Sequence, residues 1–115
     1  MKKDDSVFVG HILKEISDVE GFVSGIKKEE FNSNLMLQKA IVRSVEIIGE
    51  AVKNLSGSFR KQYSDVEWVA IAGMRDKLIH NYFGVDLDLV WVVVKKELGL
   101  LKKQMLKIKY DLEGE

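Results

Sequence analysis

The 115-residue sequence contains no cysteine. That excludes disulfides, thiolate zinc sites and cysteine nucleophiles, and it fits a reducing compartment. It contains no proline, so nothing forbids long uninterrupted helices. Histidine is scarce, with only His11 and His80. A multi-histidine metal site would need carboxylates as well, and no ligand spacing for one is present. The expectation is a chain that needs no metal and no cofactor. An excess of either charge is also lacking: 18 basic and 18 acidic residues give a formal net charge of zero at pH 7. Nucleic-acid binders that work by bulk charge are usually basic, so any nucleic-acid contact here has to be local. There is no long hydrophobic run either. The apolar stretch after Met1-Lys-Lys-Asp-Asp is broken by Gly10 and His11. It is too short and too polar for a signal peptide or a membrane span. A cytoplasmic protein without membrane contact is expected.

What remains is an ordinary globular balance, 46% hydrophobic and 31% charged, in a length that favours one domain with a real core. A single domain over residues 1–115 is expected, built from four main helices. Asp4, Asp5 and Ser6 offer N-caps for the first, whose stripe is Phe8, Ile12, Ile16, Val19, Val23 and Ile26. Gly25 and the polar run Lys27–Glu30 end or interrupt it. Asn32, Ser33 and Asn34 can cap a second helix that runs to about Leu55, with Leu37, Ile41, Ile48, Ala51, Val52 and Leu55 as its stripe. Arg43, Glu46 and Glu50 share another face. They form either a surface ion-pair ladder or a set that reaches an arginine across the bundle.

Ser56-Gly-Ser reads as a turn and Phe59–Tyr63 as a connecting loop. Ser64-x-x-Glu67 reads as a capping box, with Tyr63 and Trp68 as its hydrophobic staple. A third helix is therefore expected from Asp65 until Gly84 terminates it. At about 100° per residue, Trp68, Ile71, Ala72, Leu78, Ile79 and Tyr82 gather on one arc. Arg75 falls in its middle, where a guanidinium is unexpected unless paired. His80 falls on another arc with Val69, Gly73 and Asp76. Gly73 costs a helix about 1 kcal/mol relative to Ala, which suggests a close approach there. Arg75 and His80 are either a snorkelling Arg and an exposed His, or parts of a site.

Asp86 or Asp88 caps the last helix. Leu89-Val-Trp-Val-Val-Val looks strand-like by propensity. In the wider frame, Leu87, Trp91, Val94, Leu98, Leu101, Met105, Ile108 and Leu112 repeat by four and three, which is a heptad seam. Leu89, Val93 and Leu100 add a second apolar row, either core or a surface for a second subunit. Lys95, Lys102 and Lys109 form one row with Lys96 and Lys103 beside them. This is either a solvated face or a local attraction for a phosphate backbone.

Arg75-Asp-Lys-Leu-Ile-His80-Asn-Tyr82 resembles the hallmark of the HEPN superfamily, and more closely of HepT-type toxins: Arg, four residues, His, one residue, Tyr. Arg43-Ser-Val-Glu46-Ile-Ile-Gly-Glu50-Ala is similar to the family's second-helix segment. Trp68–Met74 resembles the lead-in to the motif, and Val85-Asp86 with Val90-Trp91 the exit from it. The resemblance runs in order from Phe8 to Leu106. It implies an all-α fold, an antiparallel up-and-down bundle that dimerises so that two motifs form one composite ribonuclease site. It implies Arg75 and His80 as catalytic residues, with Asp76, Asn81, Glu46 and Glu50 in support. It implies Tyr82 as the residue that a partner nucleotidyltransferase antitoxin of the MNT type modifies with AMP. Asp76 departs from the Asn often found after the Arg and adds a negative charge beside the site.

The residue types suit that chemistry. Cleaving RNA through its 2′-OH needs a base for the hydroxyl and a cation for the phosphorane charge. Histidine titrates near neutrality and arginine binds phosphate oxygens in pairs. One His per chain serves poorly as base and acid together, whereas a dimer supplies two. An AMP on Tyr82 would add bulk and negative charge that oppose RNA binding. The alternative is a non-catalytic helical partner that binds a nucleotidyltransferase or a nucleotide.

Overall fold

A computed structural model describes residues 3–79 and 84–114. The described chain is all-α, and three long helices form its frame. α1 (Lys3–Val23) packs along α3 (Leu35–Asn54), and α8 (Leu98–Glu113) closes against α1. The expected stripes lie in the core. Val9, Ile12, Ile16, Val19 and Val23 of α1 meet Leu37, Ile41, Val45, Ile48 and Val52 of α3 and Leu98, Leu101, Met105 and Ile108 of α8. These positions recur every three or four residues, so each helix turns one apolar face inward. Phe8 and Ile26 are only half-buried at the stripe's ends.

The first helix starts at Lys3, so Asp5 is not its N-cap. Asp5 lies inside α1, buried, and bonds a distant turn. Its carboxylate accepts the Ser56 amide and the Ser56 hydroxyl, each at 2.9 Å. The Ser56 hydroxyl in turn accepts the Phe59 amide and so caps α4 (Gly57–Gln62), where the sequence suggested a loop. The polar Lys27–Glu30 run is helical too. α2 (Lys28–Asn32) exists because Phe31 is fully buried against Trp91 and Glu30 accepts the Lys27 amide. Asn34 caps α3 by accepting the Leu37 amide, as the sequence suggests.

The third helix differs most from expectation. Ser64 and Asp65 lie in a turn, and the first helical residue is Trp68. Glu67 stands at the N-cap with no cap bond from its side chain, so the capping box is not formed. Trp68 explains the shift. Its indole N–H donates to the carbonyls of Arg60 and Tyr63, at 3.2 and 3.0 Å, which fixes the ring to the turn after α4. The Tyr63 ring packs on Phe59 at 5.0 Å. The helix then breaks at Gly73 into α5 (Trp68–Ala72) and α6 (Met74–Leu78). Helices this short are marginal in isolation; buried Trp68, Ile71 and Leu78 hold them by packing. α6 ends at Leu78, with Ile79 extended, so Gly84 does not terminate it. Gly84 adopts φ +95° just before Val85, which bridges antiparallel to Ile79.

Asp86, rather than Asp88, caps α7 (Leu87–Val92), and its own amide donates to the Leu78 carbonyl at 2.8 Å. A π-helical turn (Val93–Glu97) joins α7 to α8. The heptad seam is therefore not continuous. Val90 and Val93 are buried upstream, then Leu98, Leu101, Met105 and Ile108, and the step from 93 to 98 contains one extra residue. Leu87, Trp91 and Val94 are only half-buried. The second row also splits: Val93 is core, while Leu100 is exposed.

Candidate functional site

Gly49 sits in the middle of α3 and faces α5. A Cβ at Gly49 would lie 3.0 Å from the Ala72 carbonyl oxygen. The close approach anticipated at Gly73 therefore occurs at Gly49. Gly73 instead marks the break between α5 and α6, where a Cβ would meet only ordinary contact at 3.6 Å. A glycine inside a long helix costs about 1 kcal/mol, and that cost was the signal available for Gly49 in the sequence.

With α5 drawn onto α3, the start of α6 lies over the Glu46–Lys53 face. The result is an open cleft of about 390 Å³ lined by Arg43, Glu46, Gly49, Glu50, Lys53, Ala72, Arg75 and Asp76. Its charged groups number three of each sign. Arg75 is not buried on the apolar arc but half-exposed, at 46%. Its Nε–H donates to Glu46 Oε2 at 3.0 Å, and Nη1 reaches Asp76 Oδ1 at 3.4 Å. The other Glu46 oxygen lies 3.8 Å from Arg43 Nη1. Of the two α3 carboxylates, Glu46 meets Arg75; Glu50 pairs with Lys53 on its own helix at 3.6 Å. A second, more apolar groove of about 420 Å³ shares Arg43 and Glu46 with the cleft. Its other walls include Leu35, Val42, Ile79, Gly84, Val85 and Leu87.

His80, Asn81 and Tyr82 lie outside the described residues. The helix that carries Arg75 ends at Leu78, with Ile79 extended, so the expected single helix from Asp65 to Gly84 is not formed. The lysine row is not a single face either. Lys95 lies within the π turn and places its ammonium 4.8 Å from the Trp91 ring centroid. Lys102 pairs with Glu20 of α1 at 2.9 Å, and Lys109 lines a shallow pocket between α1 and α8 with Ser6 and Glu113. The extra residue of the π turn rotates Lys95 away from the other two. Among the described residues, no group of three or more His, Cys, Asp or Glu is arranged to hold a metal ion. No described helix is long and apolar enough to cross a membrane.

Residues 12–108 match the family model described as ribonuclease HepT-like. A protein of Caldanaerobacter subterraneus subsp. tengcongensis, named provisionally as an RNase, is 50% identical over 88% of this chain and 90% of its own length. A protein of Thermococcus cleftensis, named provisionally as ribonuclease HepT, is 38% identical over 95% of this chain and 99% of its own. A longer protein of Methanocaldococcus jannaschii, named as a gamma-glutamylcyclotransferase and provisionally an RNase, is 44% identical over 98% of this chain. The chain spans only 51% of that protein. No solved structure gives a significant match.

Proposed function

The chain belongs to the HepT-like ribonuclease family, and from that premise we propose that it is a metal-independent endoribonuclease, the toxin of a toxin–antitoxin pair. The observation that carries the reading is Arg75, held at an open cleft by a carboxylate from another helix with part of its guanidinium still accessible. In this reading Arg75 binds the scissile phosphate and stabilises the charge that builds on it. His80 takes or gives the proton at the 2′-OH or the leaving oxygen. Two chains associate as a homodimer so that two motifs supply two histidines. Asn81 and Asp76 support the site, and Lys95, Lys102 and Lys109 attract the RNA backbone. A nucleotidyltransferase antitoxin silences the enzyme by adding AMP to Tyr82.

The test is a cleavage assay with purified wild-type, His80→Ala and Tyr82→Phe proteins and a labelled mixed-sequence RNA oligonucleotide. His80→Ala should lose about 10²–10⁴-fold in rate, the range for a general acid or base, with its helical circular dichroism intact. Tyr82→Phe should keep cleaving but gain no AMP mass from a cognate nucleotidyltransferase. Full activity of His80→Ala would sink the mechanism.

A second reading is a non-catalytic partner of a nucleotidyltransferase. It draws on the balance of charge in the cleft and on Arg75 already having two carboxylate neighbours. Tight binding of such an enzyme without any RNA cleavage by the wild type would favour it.

A further inference from the structure

An arginine that must meet a phosphate in one orientation needs something to hold its side chain. Arg75 stands on a five-residue helix just after the break at Gly73, so its own element gives little rigidity. Three carboxylates lie nearby, and they differ in how firmly they are fixed. Asp76 is its neighbour in sequence, 80% exposed, and meets Nη1 at the limit of a hydrogen bond, 3.4 Å. Glu50 is 69% exposed and paired with Lys53. Glu46 is only 32% exposed and stands on the long, well-packed α3.

Glu46 takes the Nε edge of Arg75, at 3.0 Å. A guanidinium has five N–H donors in a rigid fork. Engaging Nε leaves the terminal nitrogens for another acceptor, with Nη1 reaching only the exposed Asp76, at 3.4 Å. Glu46 also lies between Arg75 and Arg43, 3.8 Å from the latter. Two guanidiniums thus share one carboxylate, which lets them stand side by side in one cleft. Gly49, one turn along α3, sets the distance by letting Ala72 come close.

We infer that Glu46 is the positioning residue for Arg75 in RNA cleavage, fixing its Nε so that its terminal nitrogens meet the phosphate. This rests on the reading of Arg75 as the phosphate-binding arginine of a ribonuclease. A loose Arg75 would still attract RNA, but it would have to be oriented during the reaction. The loss should therefore fall on kcat more than on KM. Gln keeps the acceptor and the shape of Glu46, so it should restore much of what Ala removes.

The experiment compares wild-type, Glu46→Ala, Glu46→Gln and Arg75→Ala full-length proteins on a labelled mixed-sequence RNA oligonucleotide, with thermal unfolding alongside. Glu46→Ala should lower kcat about tenfold with KM changed less than about threefold, and Glu46→Gln should stay within about threefold of wild type. Arg75→Ala should be inactive. If Glu46→Ala cleaves as fast as wild type or faster while Arg75→Ala is inactive, the positioning role is overturned and the ribonuclease reading stands. If Arg75→Ala is fully active, both fall. A kcat loss that Glu46→Gln does not relieve, together with a lowered unfolding temperature, would make Glu46 a stability residue and also overturn the role.

Discussion

The long helices α1, α3 and α8 and the stretch from Ser56 to Asp86 are built on different terms. Each long helix carries a stripe that repeats over several turns and buries it against the other two. The described part of the stretch between α3 and α7 is a series of short pieces, held by a few buried side chains and by particular bonds. Asp5 accepts from Ser56, Trp68 donates to two carbonyls, and the Asp86 amide donates to Leu78. The frame is held by area, which is additive and tolerant. The broken stretch relies more on individual contacts, and it meets α3 at the charged cleft. A side chain that faces solvent cannot also supply burial, so the cleft lies where the polar face of α3 meets the short helices.

If that contrast is right, damage to the two regions should separate stability from activity. The largest effect belongs to the frame. Ile16 is fully buried among the three long helices, and Ile16→Ala should cost about 2–5 kcal/mol of stability through the lost apolar contact and the cavity left behind. Urea unfolding would measure it, and RNA cleavage per folded molecule should be unchanged. Gly49→Ala probes the seam between the regions. The helix gains about 1 kcal/mol from alanine, while the overpacked contact with Ala72 costs about 1–3 kcal/mol. Net stability should therefore fall by less than about 2 kcal/mol, yet cleavage should drop about tenfold as α5 moves and Arg75 leaves Glu46. Unchanged cleavage would show that the approach of α5 does not set the position of Arg75. The smallest effect belongs to the surface. Lys102→Ala breaks an exposed pair with Glu20 and should alter stability by less than about 1 kcal/mol. RNA affinity should weaken only a few-fold, and the salt dependence of binding should fall by about one unit or less. A tenfold or larger loss of affinity would place Lys102 at the centre of the RNA path.

The same contrast decides what could be read from the chain. Ile12, Ile16, Ile41, Ile48 and Met105 announce themselves by spacing, because a helix face is periodic and burial follows it. Asn34 announces α3 because a cap acts within a few residues. Trp68 hid the start of α5. Its indole bonds backbone eight and five residues earlier, and that interaction outweighs the local capping signal of Ser64 and Glu67. Gly73 and Gly49 look alike in sequence; only the packing of α5 on α3 tells the break from the approach. The Arg75–Glu46 pair was legible as a possibility, since Glu46 shares a face with Arg43 and Glu50. The choice of Glu46 over Glu50 depends on where α6 begins, which no spacing reveals.

The π turn at Val93–Glu97 has a consequence for the motif segment as well. An added residue acts as a phase shift between two stretches of one rod. Downstream, Leu98 to Ile108 are in phase with α1; upstream, Val90 and Trp91 are in phase with Leu78 and Phe31. Remove one residue from the turn and the rod becomes an ordinary α-helix, but everything before it turns by about 100° and moves by about 1.5 Å. Val90 would leave the core, and the Asp86 amide would leave the Leu78 carbonyl. The meeting of Asp86 with Leu78 is thus timed by a residue more than a helical turn away from it.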